Sequence, residues 1–220
     1  MKKIIYTVLV VLIIQSTWAK DIPVQGRVFI STTNTNKLND LNTAMTNEGL
    51  KKIDKLTSFG VEIIFPKFII FEPGIRYTRR TFITDENPSN SLTNYEASLT
   101  QDSYLLLARI PFVKSSFFSF DIFGGVGGNN TKIKIKTATS DGELNRTVKD
   151  WLATPYYTAG SSIGLGFKSI LLYAEGGYET NKVNKLQKSG TVASSFSSLD
   201  LSGSYIMLGI IFDGVKATQK

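Results

Sequence analysis

The sequence contains no cysteine and no histidine. Without cysteine there can be no disulfide framework, no thiol-linked lipid anchor and no thiolate metal ligand. Without histidine the usual general base at neutral pH is missing. A site built from carboxylates alone would need Asp or Glu side chains that are paired and desolvated. We therefore predict that the protein is not an enzyme and has neither a metal ion nor another cofactor.

Long apolar runs are also scarce, and the one that stands out lies at the N-terminus. Lys2 and Lys3 precede an apolar run over residues 4–14, and a stretch of mostly small residues then ends at Ala19. This order is typical of a secretory signal peptide, and the run is shorter than the roughly 20 apolar residues of a membrane-spanning helix. The pattern predicts a signal peptide over residues 1–19, cleaved after Ala19, and an exported domain over residues 20–220.

The charge of the chain is modestly positive. The formal net charge is +7, and Lys2 and Lys3 supply two of these charges. The remaining excess is spread over many segments, so no nucleic-acid surface is indicated. A length of about two hundred residues after cleavage favours a single domain.

Apolar and polar residues alternate repeatedly between residues 57 and 212, with Tyr, Phe, Ile and Val in the runs and Gly, Asn and Ser between them. A period of two predicts β-strands. The predicted strands are residues 22–33, 57–65, 68–81, 99–113, 117–136, 151–167, 170–181 and 196–212. Short joints at 66–67, 114–116 and 168–169 alternate with long segments at 34–56, 82–98, 137–150 and 182–195. An up-and-down barrel with short turns at one rim has this rhythm.

The two faces of the predicted strands differ in charge. One face is apolar and uncharged, and the other carries charges of both signs together with many Gly and Ser residues, so the polar face is the enclosed one. The charges predicted to line the lumen are Arg27, Glu62, Glu72, Arg76, Arg109, Asp121 and Glu175. We expect a structural ion-pair network, because buried charges must be paired and eight strands enclose little beyond side chains. A narrow polar path for small solutes is the alternative.

Aromatic residues on the uncharged face occur near both ends of the predicted strands. Those nearer the long segments are Phe59, Tyr77, Tyr104, Tyr157 and Tyr178, and those nearer the short joints are Phe65, Phe112, Phe118, Phe167 and Phe212. They form two candidate interfacial girdles. The eight residue steps from Tyr104 to Phe112 and the ten from Tyr157 to Phe167 span roughly 20 to 25 Å in a tilted strand, which fits an apolar band.

In this pattern the exported chain resembles the small eight-stranded outer-membrane β-barrels, the OmpA-like and opacity-type porin family. The alternating apolar residues of segment 202–212, which end at Phe212, are similar to that family's C-terminal assembly signal. The resemblance implies an all-β, eight-stranded, antiparallel, up-and-down transmembrane β-barrel in the cell outer membrane. It also implies recognition by the barrel-assembly machinery and contact with outer-membrane lipids.

Two segments near the predicted loops have patterns of their own. Apolar residues recur at spacings of mostly three to four in the first long segment, at Leu38, Leu41, Met45, Leu50, Ile53 and Leu56. This predicts a short helical segment within the loop 34–56, packed on the rim, covering the lumen or docking a partner. Lys132, Lys134 and Lys136 form a basic ribbon, either a solvated face or a contact for anionic sugars such as those of lipopolysaccharide.

These observations favour one function and leave two alternatives. The first hypothesis is a small surface-exposed barrel with a structural or surface-interaction role carried by four long extracellular loops, whose surface partner is unknown. The second is a narrow porin-like channel. The third, a soluble periplasmic barrel of the lipocalin type, would need an apolar interior, so every strand would have to shift by one residue.

The signal-peptide prediction can be checked by mass spectrometry of the protein extracted from the membrane fraction. We expect a mature N-terminus at Lys20, because the small residue Ala19 closes the cleavage motif. A mature chain that retained residues 2–14 would contradict the prediction.

Overall fold

The structure is a computed structural model. It describes residues 24–35, 38, 42–43, 53, 55–86, 95–115, 117–139, 142–167, 170–183, 187–189 and 199–213. The predicted signal peptide lies outside the described residues and stays a prediction. Across the described ranges, no helix combines the length and the apolar character that a bilayer crossing requires.

The described chain is built from β-strands. They are β1 Gln25–Asn34, β2 Lys55–Ile64, β3 Glu72–Glu86, β4 Tyr95–Lys114, β5 Phe118–Thr139, β6 Gly142–Phe167, β7 Ile170–Val183, β8 Gln187–Ser189, β9 Leu199–Asp200 and β10 Gly203–Asp213. Strands β1 to β7 pair in sequence order, β7 pairs with β10, and β10 returns to β1, all antiparallel. The ring of these eight strands is closed, which confirms the predicted all-β up-and-down barrel. Closure leaves no unpaired edge within the ring.

The segment 137–150 is not the long loop that we predict from the sequence. Strand β5 continues to Thr139 and β6 begins at Gly142, with these two residues opposite each other. Strands β3 and β4 likewise extend to Glu86 and Tyr95, which are paired. The ladders continue because each strand satisfies its neighbour's backbone donors and acceptors whatever its side chains are. Two long hairpins therefore stand above the barrel where the sequence indicates loops.

The first short joint is longer than predicted. Strand β2 ends at Ile64 and β3 begins at Glu72, so residues 65–71 form the connection. Phe68 and Phe71 exchange backbone hydrogen bonds, with the Phe68 N–H donating at 2.7 Å and the Phe71 N–H at 3.1 Å. Ile69, at the tip of this turn, has a φ of 57°. We call residues 65–71 the β2–β3 turn.

The helix predicted in the loop 34–56 falls mostly outside the described residues and stays a prediction. Of that loop's interior, the structure describes Leu38, Asn42, Thr43 and Ile53. The Asn42 N–H donates to the Leu38 carbonyl at 2.8 Å, a spacing found in helices. The Asn42 side chain also holds the backbone of Ile53, donating to its carbonyl and accepting from its N–H. Leu38 and Ile53 are both buried, so these points of the loop pack inward.

The faces of the strands are as the alternation predicts. Apolar side chains on the outer face are exposed, among them Ile30, Ile75, Leu106, Ile163, Leu172, Ile206 and Leu208. Every lumen charge predicted from the sequence is buried. In the ring strands the face that carries these charges points inward, so the polar face is the enclosed one.

Large rings fill the lumen, and glycines on the facing strands make room for them. A Cβ at Gly60 would lie 2.4 Å from the Phe29 Cζ atom, and a Cβ at Gly160 would lie 2.9 Å from the Phe123 Cζ atom. The buried apolar cluster consists of Phe29, Leu105, Leu107, Phe123, Tyr156, Leu171, Tyr173, Tyr205, Met207 and Ile211. Gly160 and Gly164 on β6 thus leave room for side chains of neighbouring strands, as small barrels require.

Candidate functional site

The centre of the lumen contains three arginines and three carboxylates, all among the described residues. They lie on six different strands: Arg27 on β1, Glu62 on β2, Arg76 on β3, Arg109 on β4, Asp121 on β5 and Glu175 on β7. All six side chains are buried. We call these six residues the central charge network. Only closure of the ring brings them together, since Arg76 and Glu175 are 99 residues apart in the chain.

Arg76 binds two carboxylates at once. Its Nε and Nη2 atoms donate to Glu62 Oε2 at 3.0 and 2.7 Å. Its Nη1 and Nη2 atoms donate to the two oxygens of Glu175 at 2.7 and 2.8 Å. The bidentate contact with Glu175 is the strong, directional form of the arginine–carboxylate bond.

Arg109 joins three carboxylates. Its Nε and Nη2 atoms donate to the two oxygens of Glu62 at 2.6 and 2.9 Å. The Nη1 atom donates to Asp121 Oδ1 at 2.6 Å, and Nη2 also donates to Glu175 Oε2 at 2.7 Å. Arg109 is fully buried. It is therefore the residue that links β2, β5 and β7 across the lumen.

Arg27 completes the charge balance with longer contacts. Its Nη2 atom donates to Asp121 Oδ2 at 3.2 Å, and its Nη1 atom lies 3.9 Å from Glu175 Oε2. Ser162 Oγ donates to the same Asp121 oxygen at 2.7 Å, and the Tyr205 hydroxyl donates to Glu175 Oε1 at 3.0 Å. The hydroxyl groups of Ser162 and Tyr205 thus add hydrogen bonds to the two carboxylates beyond those from the arginines. Buried carboxylates need such additional donors.

Aromatic rings lie against the guanidinium groups. The Arg109 Cζ atom is 4.6 Å from the centre of the Phe123 ring, and the Arg27 Cζ atom is 4.9 Å from that of Tyr173. Arg76 lies 5.2 Å from the Phe29 ring centre. Such cation–π contacts stabilise a desolvated cation. The sequence shows these rings on the inner parity, but nothing in it assigns a ring to an arginine.

Glu72 is the predicted lumen charge that the structure places apart. It lies opposite Arg109 in the register of β3 and β4, yet its Oε1 atom accepts a hydrogen bond from Lys114 Nζ at 2.6 Å. Both residues are near the short-turn rim. The Arg109 guanidinium already donates to Glu62, Asp121 and Glu175. Glu72 therefore pairs with Lys114, at the end of β4. Lys114 is not among the predicted site residues.

A second charged layer lies closer to the loop-side rim and is absent from our sequence prediction. Arg80 on β3 forms a salt bridge with Glu179 on β7. The Arg80 guanidinium also donates to the Tyr156 hydroxyl, and that hydroxyl donates to the Glu179 carboxylate. The signal was available, because Arg80 follows Arg76 by four residues, Glu179 follows Glu175 by four, and both therefore keep the inward parity.

Uncharged amides extend this layer. Gln101 donates to Thr131 Oγ1 at 2.8 Å, and Asn181 donates back to Gln101 Oε1 at 2.7 Å. Asn129 donates to Asn181 Oδ1 at 2.8 Å. These residues lie on β4, β5 and β7, so hydrogen bonds cross the lumen above the central charge network as well as within it.

A small cavity lies at the short-turn end of the barrel. Its volume is about 30 Å³, and its polar lining is Gln25, Arg27, Glu72, Lys114, Ser115, Ser119 and Asp121. A space of this size holds about one water molecule. Among the described residues, no group of three or more His, Cys, Asp or Glu side chains is placed to hold a metal ion.

The predicted girdle residues lie on the outer face wherever their side chains are described. On the loop side Tyr104, Tyr157 and Tyr178 are exposed and Phe59 and Tyr77 half-buried. The Tyr77 and Tyr104 rings are 5.4 Å apart. On the turn side Phe65, Phe112 and Phe212 are exposed and Phe118 is half-buried, whereas the Phe167 side chain lies outside the described residues. Phe112 lies at the irregularity in the β4–β5 register between Pro111 and Val113.

The basic ribbon of β5 lies in the extended β5–β6 hairpin. Lys132 is half-buried and lies between Thr100 on β4 and Lys149 on β6. The side chains of Lys134 and Lys136 lie outside the described residues. The register thus places a second lysine, Lys149, beside the ribbon, a neighbour that the sequence alone does not reveal.

The fold and the site together define a class: a closed eight-stranded β-barrel with a charged, filled lumen and an apolar exterior. Solved structures similar to this chain include Ail, the attachment invasion locus protein of Yersinia pestis, solved with the heparin analogue sucrose octasulfate. It is 12% identical, with a TM-score of 0.49 over 87% of this chain and 98% of that chain. Acinetobacter baumannii CarO is 13% identical, with a TM-score of 0.45 over the same shares.

A third similar structure is the outer membrane protease OmpT of Escherichia coli. It is 9% identical, with a TM-score of 0.35 over 87% of this chain and 95% of that chain. No protein-family model matches the chain, and no curated protein sequence matches it.

Replacing Arg109 with alanine should destabilise the barrel strongly. The change leaves Glu62, Asp121 and Glu175 with too few cations in an enclosed space, and breaking such a buried pair costs about 3 to 5 kcal/mol. The free energy of unfolding of refolded protein, from urea titration, measures this.

Arg79→Ala is the matched control for this test. Arg79 is on β3, its side chain is 41% exposed, and it lies 3.5 Å from Asp102 on the outer face. An exposed pair of this kind contributes at most about 1 kcal/mol. Equal losses in the two variants would show that the central charge network contributes no more than a surface pair.

Proposed function

We propose that this protein is a small outer-membrane β-barrel with a structural or surface-interaction role, carried by the parts of the chain beyond the loop-side aromatic residues. The observation that carries the proposal is the outer face of the ring, which is apolar and uncharged between the two sets of aromatic residues while the charges are enclosed. This is the arrangement of a barrel that faces lipid.

The exposed apolar surface supports a lipid environment. Between the girdles it includes Leu106 and Ile110 on β4, Ile163 on β6, Leu172 on β7 and Leu208 on β10. These side chains form a belt around the ring, whereas the apolar patches of soluble monomers are confined to a few hundred Å². A lipocalin-type barrel would place its apolar side chains inside, where this chain has the central charge network.

The filled lumen supports a structural role over transport. The central charge network, the Arg80–Glu179 layer and the apolar cluster all occupy the interior. Each arginine is bound to carboxylates on other strands, so the charges hold the ring together across its axis. A solute path would require several of these contacts to break at once.

The surface role in this proposal belongs to the long hairpins β3–β4 and β5–β6 and to the loop 34–56. Strands β3 to β6 extend beyond the loop-side aromatic residues, and strands of this kind commonly carry functional loops. Lys132, on the outer face and opposite Lys149, supports lipopolysaccharide as a candidate partner, an attraction that salt would weaken. Phe212, exposed at the end of β10, supports recognition by the barrel-assembly machinery.

The lipid-facing assignment is tested by two lysine substitutions on the same strand and face. Ala108 is exposed midway between Tyr104 and Phe112, so Ala108→Lys places a cation near the bilayer centre. We expect a loss of about 2 to 4 kcal/mol in the free energy of unfolding from lipid vesicles. Denaturant titration followed by Trp fluorescence or circular dichroism gives the value.

Thr100→Lys is the control for depth. Thr100 lies on the outer face of β4, four residues beyond Tyr104 on the loop side, so its lysine would reach water and cost at most about 1 kcal/mol. In a barrel surrounded by water, both lysines would be harmless. Equal stability of the two variants in vesicles would therefore remove the support for a membrane location.

A narrow channel remains the second candidate, and the cavity at the short-turn end is the observation that favours it. We expect no steady current from the purified protein in a planar bilayer, because side chains fill the lumen above this cavity. A steady single-channel current that disappears when the barrel is heat-denatured would favour the channel over the structural role.

A further inference from the structure

The tip of the β2–β3 turn is exposed hydrocarbon. Phe68, Ile69 and Ile70 are 61%, 76% and 64% exposed, respectively. The ring of Phe68 contacts Phe71 edge-on, with ring centres 5.9 Å apart, so the turn is a defined structure with apolar side chains facing outward.

The backbone of this turn would favour different residues. Ile69 has a φ of 57°, in the left-handed region that β-branched residues rarely adopt. Tight hairpin turns usually have Gly, Asn or Asp at such a position, and these residues would also be compatible with exposure to water. Isoleucine at this position is unfavourable for the backbone and unfavourable in water. An apolar environment around the turn would remove the second of these costs.

The neighbouring turn continues the same apolar surface. The β3–β4 ladder ends at Glu72 and Arg109, and β4 continues beyond it to Lys114, paired with β5 at the same rim. There Phe112, Val113 and Phe117 are exposed, and the Phe112 and Phe120 rings lie 5.8 Å apart. The two turns therefore extend the apolar belt of the barrel downward on the β2–β5 side.

A cation borders this surface. Lys67 is exposed and directly precedes Phe68 in the β2–β3 turn. A lysine beside apolar residues can extend its ammonium group toward phosphate while its stem stays in hydrocarbon. Within four residues the turn thus combines a cation that can bind a lipid phosphate with apolar side chains that can contact the adjoining acyl chains.

We propose that the β2–β3 turn is inserted into the periplasmic leaflet of the membrane, with Phe68, Ile69 and Ile70 among the upper acyl chains and Lys67 at the phosphates. This inference rests on the proposed function and names the partner of that rim as phospholipid. The apolar surface of the turn is continuous with the belt of exposed apolar side chains that the proposed function assigns to lipid. The β2–β3 turn then anchors one side of the barrel in the bilayer.

The experiment places a single tryptophan at chosen depths and quenches it with brominated phosphatidylcholine. Once the predicted signal peptide is removed, Trp151 is the remaining tryptophan, so Trp151→Phe supplies the background. Ile70→Trp reports on the turn, with Phe68→Trp as a second reporter should the first fail to refold. Leu106→Trp reports on the middle of the belt, and Lys55→Trp, exposed at the start of β2, reports on water.

We expect the Ile70 reporter to emit at shorter wavelength than the Lys55 reporter and to lose more emission with bromines near the glycerol than with bromines near the chain ends. The Leu106 reporter should show the opposite order. An Ile70 reporter quenched by aqueous iodide and insensitive to bromolipid would overturn the inference. So would a blue-shifted reporter that neither agent quenches, since the turn would then be covered by protein.

The Leu106 reporter separates the two levels of failure. If Leu106→Trp is quenched by bromolipid while Ile70→Trp and Phe68→Trp are not, the barrel faces lipid and only the inserted turn is wrong. If Leu106→Trp is itself insensitive to bromolipid, the membrane assignment of the proposed function fails together with the inference.

Discussion

Pairing of enclosed charge is the constraint on which the rest of this structure depends. Three arginines and three carboxylates lie at the centre of the lumen, where an isolated ion would be strongly destabilising. Each arginine finds its carboxylates on other strands, and Arg109 alone reaches β2, β5 and β7. An open sheet could not bring these partners together, so this charge pairing requires ring closure.

The filling of the lumen follows from the same constraint. A guanidinium group that is removed from water is more stable when an aromatic face lies against it, as Phe123 does for Arg109 and Tyr173 for Arg27. Rings of this size fit only because facing strands carry glycine, such as Gly60 beside Phe29. The outcome is an interior of interlocked rings and ion pairs that connects strands across the barrel axis.

The exterior has the opposite character, and its two rims differ. At the loop side the apolar surface gives way to polar residues beyond Tyr104, with Arg79 and Asp102 paired on the outer face. At the β2–β3 turn it continues to the tip, through Phe68 and Ile69. A barrel of this kind would be held at one rim by the change to polar side chains and at the other by apolar turns within the leaflet.

The sequence by itself determined the architecture, because the side-chain period of a strand is local. Alternation located the eight ring strands, and the charge on one parity identified the enclosed face, including all six residues of the central charge network. It could not assign partners, since these depend on the register between strands far apart in the chain. Hence Glu72, predicted as a lumen charge, is held by Lys114 at the rim, and the layer of Arg80 and Glu179 went unpredicted although its parity was visible. The hairpin from Thr139 to Gly142 was likewise decided by the tertiary structure, because a ladder continues for as long as the neighbouring backbone can pair with it.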